Sequence, residues 1–268
     1  MDNPHLSATK QANDEMQSLF DHYLPYRRPV SLEDYDWQLI KPQTVDQQFL
    51  EALGFVTLVE SNPTAPGANI LAAADRSNAP WLRHFITQTW LPEESMHHVP
   101  YKEYLVRSGT YGKAFLDAEI DKVVGRGFVH GNNYTELQAA TYGWLQELIT
   151  WRFYDAMRSY LISNGTQENP PDPVLVKILG DIAKQENFHR HIYLTGAKTV
   201  LKYSPDRKEE VVATVAEFLM PGHEMAPDWQ PKAPIWSKKF NFPIRQLMHD
   251  IVRGLLDLTG YNGLGQAA

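Results

Sequence analysis

Apolar residues recur at helical spacing along most of this chain, and no stretch shows the alternation of a half-buried strand. The longest such run goes from Val174 to Leu201, with Ile178, Ile182, Ile192 and Val200 at helical intervals. At the start, residues 5 to 24 predict a helix with Met16, Leu19, Phe20 and Leu24 on one face, stopped by Pro25 and Pro29. Tyr26 to Pro42 reads as irregular. Asp46 suits the N-cap of a helix through Phe49, Leu50, Leu53 and Val56 to Glu60, where a break is expected because of Pro63, Pro66 and Gly67 just beyond. Pro80 fits the first turn of a helix from Trp81 toward Leu105, although Pro92 and Pro100 lie within it, and Ser108-Gly109 ends it. Lys113 to Val124 predicts a short amphipathic helix. A long one carrying Glu147 comes after Asn132-Asn133-Tyr134 and ends near Ser163-Asn164-Gly165. After the polar connector Thr166 to Pro173 comes the Val174 helix, ending around Tyr203 to Asp206. Lys208 to Phe218 reads as helix, Pro221 to Phe242 as a long Pro-rich segment, and Ile244 to Leu258 as a final helix before a Gly-rich tail. The pattern predicts an all-α chain organised as one domain over residues 1–268.

Within the Val174 helix, Glu186 and His189 are three residues apart and share a face. A carboxylate and an imidazole on the apolar stripe of a helix are costly to bury unless something compensates, and a metal ion is the simplest compensation. An earlier copy of the pair is Glu94 and His97. Two Glu-x-x-His pairs do not decide the matter alone, because solvated helix pairs have the same spacing. Their company adds weight. Glu147 lies in the aromatic and aliphatic run Tyr142 to Trp151, and Glu60 comes directly after the apolar run Phe55 to Val59. The order is Glu, Glu-x-x-His, Glu, Glu-x-x-His, a duplicated helix pair of the kind that builds a dinuclear site in a four-helix bundle. Thr150 lies about one turn beyond Glu147; its hydroxyl either reaches the cluster or bonds its own i−4 carbonyl.

Composition narrows the chemistry. The chain has 268 residues, 43% hydrophobic and 21% charged, which is ordinary for a globular protein. A net charge of −7 argues against a nucleic-acid backbone as the main partner. Cysteine is absent, so a metal site must use carboxylate and imidazole, and thiol nucleophiles and iron–sulfur clusters are excluded. Four carboxylates and two imidazoles form a hard, oxygen-rich donor set that suits iron or manganese, and six ligands argue for two ions. The stretch Met1 to Gln17 lacks the apolar core of a secretory signal and no run approaches bilayer length, so the expected location is the cytoplasm.

These motifs resemble those of the soluble acyl-(acyl-carrier-protein) desaturases, the plant-type stearoyl desaturase group, in its shorter actinobacterial (mycobacterial) branch. Trp90-Leu91-Pro92-Glu93-Glu94-Ser95-Met96-His97 is similar to the family's W-x-x-E-E-N-R-H box, and Ile182-Ala183-Lys184-Gln185-Glu186-Asn187-Phe188-His189 to its A-x-D-E-x-R-H box. Tyr142-Gly143-Trp144-Leu145-Gln146-Glu147-Leu148-Ile149-Thr150, Glu60-Ser61-Asn62-Pro63-Thr64 and Tyr104-Leu105-Val106-Arg107-Ser108-Gly109 resemble three further boxes, all in family order over roughly residues 45 to 206. The resemblance implies a ferritin-like four-helix bundle core with additional helices. It implies two iron ions held by Glu60, Glu94, His97, Glu147, Glu186 and His189, with Thr150 beside the oxygen site. The implied reaction is oxygen-dependent desaturation of an acyl chain on acyl carrier protein, with a ferredoxin-like electron donor and a homodimeric assembly.

Several positions depart from the family pattern. Ser95-Met96 replaces Asn-Arg, Gln185 replaces Asp and Phe188 replaces Arg. In the family these residues orient the ligands and conduct electrons, so their loss is expected to weaken metal retention or redox coupling by roughly 10–100-fold each. Two alternatives share the ligand set: a homologue that binds carrier protein or metal without turnover, and another di-iron oxygenase or a ferroxidase. Arg27, Arg28, Lys232, Lys238, Lys239 and Arg245 are candidates for docking an acidic carrier protein by their sign alone.

Overall fold

A computed structural model describes residues 4–260 and is built from helices, with no strand among the described residues. The order is α1 (Pro4–Tyr23), α2 (Gln47–Glu60), α3 (Thr64–Arg76), α4 (Pro80–Phe85), α5 (Leu91–Arg107), α6 (Lys113–Arg126), α7 (Glu136–Asn164), α8 (Pro173–Tyr203), α9 (Lys208–Ala216), α10 (Gly222–Met225), α11 (Ala233–Lys239) and α12 (Ile244–Thr259). The Gly-rich tail beyond Gly260 lies outside the described residues. No helix is long and apolar enough to cross a membrane among the described residues.

Two helix pairs form the core. The long α7 and α8 lie against each other along their lengths, joined by the short connector around Gly165 to Asp172. α2 pairs with α5, and α5 meets α8 to close the four-helix arrangement expected of a ferritin-like bundle. The local signals sit where the fold needs them. Thr135 and Gln138 form a capping box at the start of α7. Asp172, fully buried, accepts from the amides of Val174 (2.9 Å) and Leu175 (3.0 Å) at the start of α8 and from the Tyr104 hydroxyl (2.8 Å) of α5. One N-cap therefore also ties α8 to α5. Asp46 caps α2 by accepting from Phe49 N at 3.0 Å.

Three segments differ from the pattern-based expectation. The helix from Trp81 is not uniform: Ile86–Trp90 is a π-helical turn between α4 and α5. Pro92 explains it, because a proline lacks the N–H that an α-helix needs and its ring crowds the carbonyl four residues earlier. The wider turn relieves both and advances the register of α5 relative to α4. The segments Tyr26–Pro42 and Pro221–Phe242 are not featureless. The first holds short 3-10 turns, and the second holds α10, a 3-10 turn over Pro227–Lys232 and α11. Prolines at first-turn positions start these short elements rather than forbid them.

The apolar core is divided. One cluster joins α1, α3, α4, α7, α8, α9 and α12 through residues such as Phe20, Trp81, Phe85, Trp144, Ile192 and Tyr193. A second joins α2, α5, α7, α8 and α11 through Phe49, Leu53, Tyr101, Tyr154, Ile178, Ile182 and Trp236, and a smaller third gathers Leu58, Val123, Phe128, Tyr142 and Met225. On α5 and α8 the proposed ligands fall between the two clusters, after Trp90 and before Tyr101, and after Ile182 and before Ile192. The polar layer thus crosses the middle of the bundle.

Close approach of α4 to α8 depends on a missing side chain. A Cβ at Gly196 would overlap Trp81 Cη2 and sit 2.6 Å from its Cζ3, and Trp81 is itself buried. Gly196→Ala should gain up to about 1 kcal/mol of helix propensity, yet the clash with a rigid indole should outweigh it by roughly 1–3 kcal/mol. The expected outcome is a lower melting temperature by circular dichroism; an unchanged or raised one would show that α4 yields at little cost.

Candidate metal centre

Glu60 closes α2, Glu94 and His97 lie on successive turns of α5, Glu147 lies in α7, and Glu186 and His189 lie on successive turns of α8. All six are buried, and the two histidines and Glu147 completely so. The structure brings them together as two overlapping sets. Glu60, Glu94, His97 and Glu186 place donor atoms within 4.8 Å of one another, and so do Glu94, Glu147, Glu186 and His189. Glu94 and Glu186 belong to both sets, so each Glu-x-x-His pair contributes one shared carboxylate and one imidazole of its own. His97 Nδ1 is 3.1 Å from Glu186 Oε1, 3.3 Å from Glu94 Oε2 and 3.7 Å from Glu60 Oε2. His189 Nδ1 is 2.9 Å from Glu94 Oε1 and 3.8 Å from Glu147 Oε2. The two rings lie nearly parallel with centroids 6.0 Å apart.

The outward-facing atoms are held and the inward-facing ones are not. Trp90 Nε1 donates to Glu147 Oε1 at 2.7 Å, and the Tyr154 hydroxyl donates to Glu60 Oε1. His189 Nε2 donates to Glu93 Oε2 at 3.0 Å, since a carboxylate can only accept. Gln185 Nε2 donates to the Arg28 carbonyl at 2.9 Å, which leaves Gln185 Oε1 as the acceptor for His97 Nε2 at 2.9 Å. Both imidazoles therefore carry their proton on the outside and aim Nδ1 inward. Against this, Glu94 Oε1, His97 Nδ1, Glu147 Oε2, both oxygens of Glu186 and His189 Nδ1 make no hydrogen bond although buried. Orphaned oxygen and nitrogen donors converging on one point fit divalent cations of the iron and manganese type.

Electrostatics point the same way. Burial pushes the Glu186 carboxyl well above its usual range, with Glu94 and Glu147 acting in the same direction. Glu60 is raised by burial and by Glu94, against the pull of His97 and Tyr154. Glu94 is lowered, because His97 and His189 outweigh its burial. Burial disfavours protonated His189, yet Glu147, Glu93 and Glu94 hold it up to about 10. His97 is raised well above its ordinary value as Glu94, Glu186 and Glu60 outweigh its burial. Without metal, these shifts favour keeping protons on Glu60, Glu186, His97 and His189.

Several residues around the ligands were not singled out for these roles by pattern. Glu93, beside Glu94, is buried against His189 and is bound through both oxygens by Arg27, whose guanidinium also lies 4.0 Å over the Phe188 ring. A positive charge missing from position 188 thus arrives beside it from the segment after α1. Trp90 and Tyr154 are core aromatics, but each also spends its polar atom on a cluster carboxylate. Spacing offered a signal: Trp90 is one turn before Glu94, and Tyr154 two turns after Glu147. Thr150 donates to its i−4 carbonyl, Gln146 O, at 3.0 Å, and it also lines a cavity of about 40 Å³ with Glu60, Glu94, Trp90 and Met225. His191 is exposed, and neither it nor His98 joins either ligand set. Of the basic residues, Arg27 is committed to Glu93, Arg28 to Asp34, Lys232 to Glu51 and Lys239 to Asp46; Lys238 and Arg245 are exposed without an ion pair among the described residues.

The metal-free chain should be pH-dependent. His189 binds its proton more tightly folded than unfolded, so its contribution is complete below about 6.5 and lost as pH rises toward about 10. The raised carboxyls of Glu60 and Glu186 act with the same sign, because the folded chain keeps protons that the unfolded chain gives up. The melting temperature of the metal-free protein should fall across this window, and a divalent metal should flatten the fall. A profile that stays level without metal would count against a proton-held cluster.

Comparison with known proteins agrees with this geometry. The family model described as fatty acid desaturase matches residues 66–241. Stearoyl-(acyl-carrier-protein) 9-desaturase 6, a chloroplast protein of Arabidopsis thaliana, is 26% identical over 141 residues, which is 52% of this chain and 34% of that protein. DesA1 of Mycobacterium tuberculosis, whose given name is that of an acyl-(acyl-carrier-protein) desaturase, is 23% identical over 147 residues, 54% of this chain and 43% of its own length. The matched region therefore spans less than half the length of these curated relatives. The ordered acid and histidine pairs, the helical bundle that gathers them and the family match over residues 66–241 make this chain a member of the fatty acid desaturase family.

Proposed function

We propose that this protein is an oxygen-dependent desaturase that introduces a double bond into a saturated acyl chain carried on acyl carrier protein. The observation that supports it most is the convergence of buried donors from Glu60, Glu94, His97, Glu147, Glu186 and His189 in two overlapping sets, all but Glu60 with unpaired atoms, in a chain whose family includes acyl-carrier-protein desaturases by name. When bound, a pair of iron ions supplies the redox chemistry that reduces dioxygen to two waters with two electrons from the acyl chain and two from an external donor. A ferredoxin-like protein suits the donor role, and a homodimer is the proposed assembly.

The chain's own residues divide the work. Glu94 and Glu186, members of both sets, would help hold both ions, Glu60 and His97 would add to one set, and Glu147 and His189 to the other. Tyr154 and Trp90 hold one oxygen of each unshared carboxylate and so turn the other inward. Thr150, its proton committed to Gln146 O, presents hydroxyl lone pairs beside the cavity that Glu60 and Glu94 border. Apolar Val59, Pro63, Pro66, Met220 and Met225 line the same cavity together with polar Asn62 and Gln146. Lys238 and Arg245, exposed and without an ion pair among the described residues, are available to meet an acidic carrier protein.

The size of that cavity favours a second reading. About 40 Å³ holds water or dioxygen but not an acyl chain, which suits a ferroxidase or an oxygenase of a small substrate. For the desaturase reading, the walls of that cavity must open further to admit an acyl chain.

Anaerobic reconstitution with ferrous iron should give about two irons per chain, and exposure to oxygen should bring the absorption of a coupled ferric pair. Glu186→Ala should lose most of that metal while circular dichroism still shows folded helices; unchanged metal content would sink the ligand assignment. With saturated acyl chains on acyl carrier protein and a reducing system, mass spectrometry should find a product two mass units lighter. Iron oxidation without such a product would favour the second reading.

A further inference from the structure

The hydrogen bonds behind the two ligand sets match in kind except at one acceptor. Each unshared carboxylate has one oxygen held by an aromatic donor, Trp90 on Glu147 and Tyr154 on Glu60. Each imidazole is turned inward at Nδ1 by an acceptor behind Nε2, at 3.0 Å for His189 and 2.9 Å for His97. Behind His189 the acceptor is the carboxylate of Glu93, buried and clasped by Arg27, which supplies the charge that makes an acid tolerable there. Behind His97 the acceptor is the neutral amide of Gln185, fixed in orientation by its own bond to the Arg28 carbonyl. The tautomer is therefore the same at both rings, and the charge behind them is not.

An anionic acceptor draws on the imidazole N–H and makes the opposite nitrogen a better electron donor; a neutral amide does so less, and such differences behind a ligand are typically worth about 10–100-fold in metal affinity. We propose that the two metal positions fill in order. The position built from Glu94, Glu147, Glu186 and His189 binds first, and the one built from Glu60, Glu94, His97 and Glu186 binds at least about 10-fold more weakly, with Gln185 as the positioning residue that sets the difference. This ranking rests on the dinuclear reading above.

The test uses the full chain, stripped of metal and titrated with Co²⁺. Visible absorption and calorimetry monitor the two steps, and elemental analysis gives the stoichiometry. The wild type should take up cobalt in a tight step and then a weaker one. Glu93→Gln places neutral amides behind both rings and should weaken the tight step by about 10-fold or more, bringing the two together. Gln185→Glu should instead strengthen the weak step. Melting of the metal-free variants checks that each is folded, and a merely structural role would move that melting without changing the separation of the steps. Two equal steps in the wild type, or a separation that Glu93→Gln leaves unchanged, would overturn the ranking while leaving the dinuclear reading intact. Saturation below about two ions per chain would overturn both.

Discussion

Four carboxylates and two imidazoles share one buried layer between two large apolar clusters, and the rest of the structure answers to that constraint. Taking an ionised side chain out of water costs several kcal/mol even after relaxation, whereas burying a large apolar side chain returns about 1.5–3 kcal/mol. Several core residues are thus needed to offset each unneutralised acid. The two clusters provide that weight on either side of the layer, through Trp81, Phe85 and Trp144 on one side and Phe49, Tyr101 and Trp236 on the other. What they do not provide is charge. Protons bound to His97 and His189 can supply some of it, and divalent cations can supply all of it.

Holding such a layer open requires that the ligands cannot turn away and satisfy themselves elsewhere. Each outward atom is therefore occupied. Trp90 and Tyr154 come from within the bundle, Glu93 and Gln185 are the immediate neighbours of Glu94 and Glu186, and Arg27 and Arg28 come from the segment just after α1. That segment closes the back of the site from far away in sequence, and it supplies a guanidinium beside Phe188 where the family pattern has an arginine in the helix itself. The replacement keeps a positive charge near His189. A duplicated helix pair has in this way acquired two unlike halves.

The helical architecture was legible because amphipathic periodicity, an N-cap at Asp46, and stops at Pro25 and Gly109 are local properties of the chain. The grouping of Glu60, Glu94, His97, Glu147, Glu186 and His189 could be anticipated because an i, i+3 pair shares a face whatever surrounds it. The π turn before Pro92 was less accessible: the proline signals a disturbance, but a break, a kink and a wider turn all answer it. The partnership of Arg27 with Glu93, the dual role of Asp172 and the division of the core left no local trace. Taken alone, the sequence determined which residues could become ligands, because spacing along a helix settles which side chains face together. Only the tertiary structure decided which carboxylates are shared, which atoms stay unpaired and which charge stands behind each histidine. Those depend on contacts between residues as far apart as Arg28 and Gln185, and no periodicity along the chain encodes them.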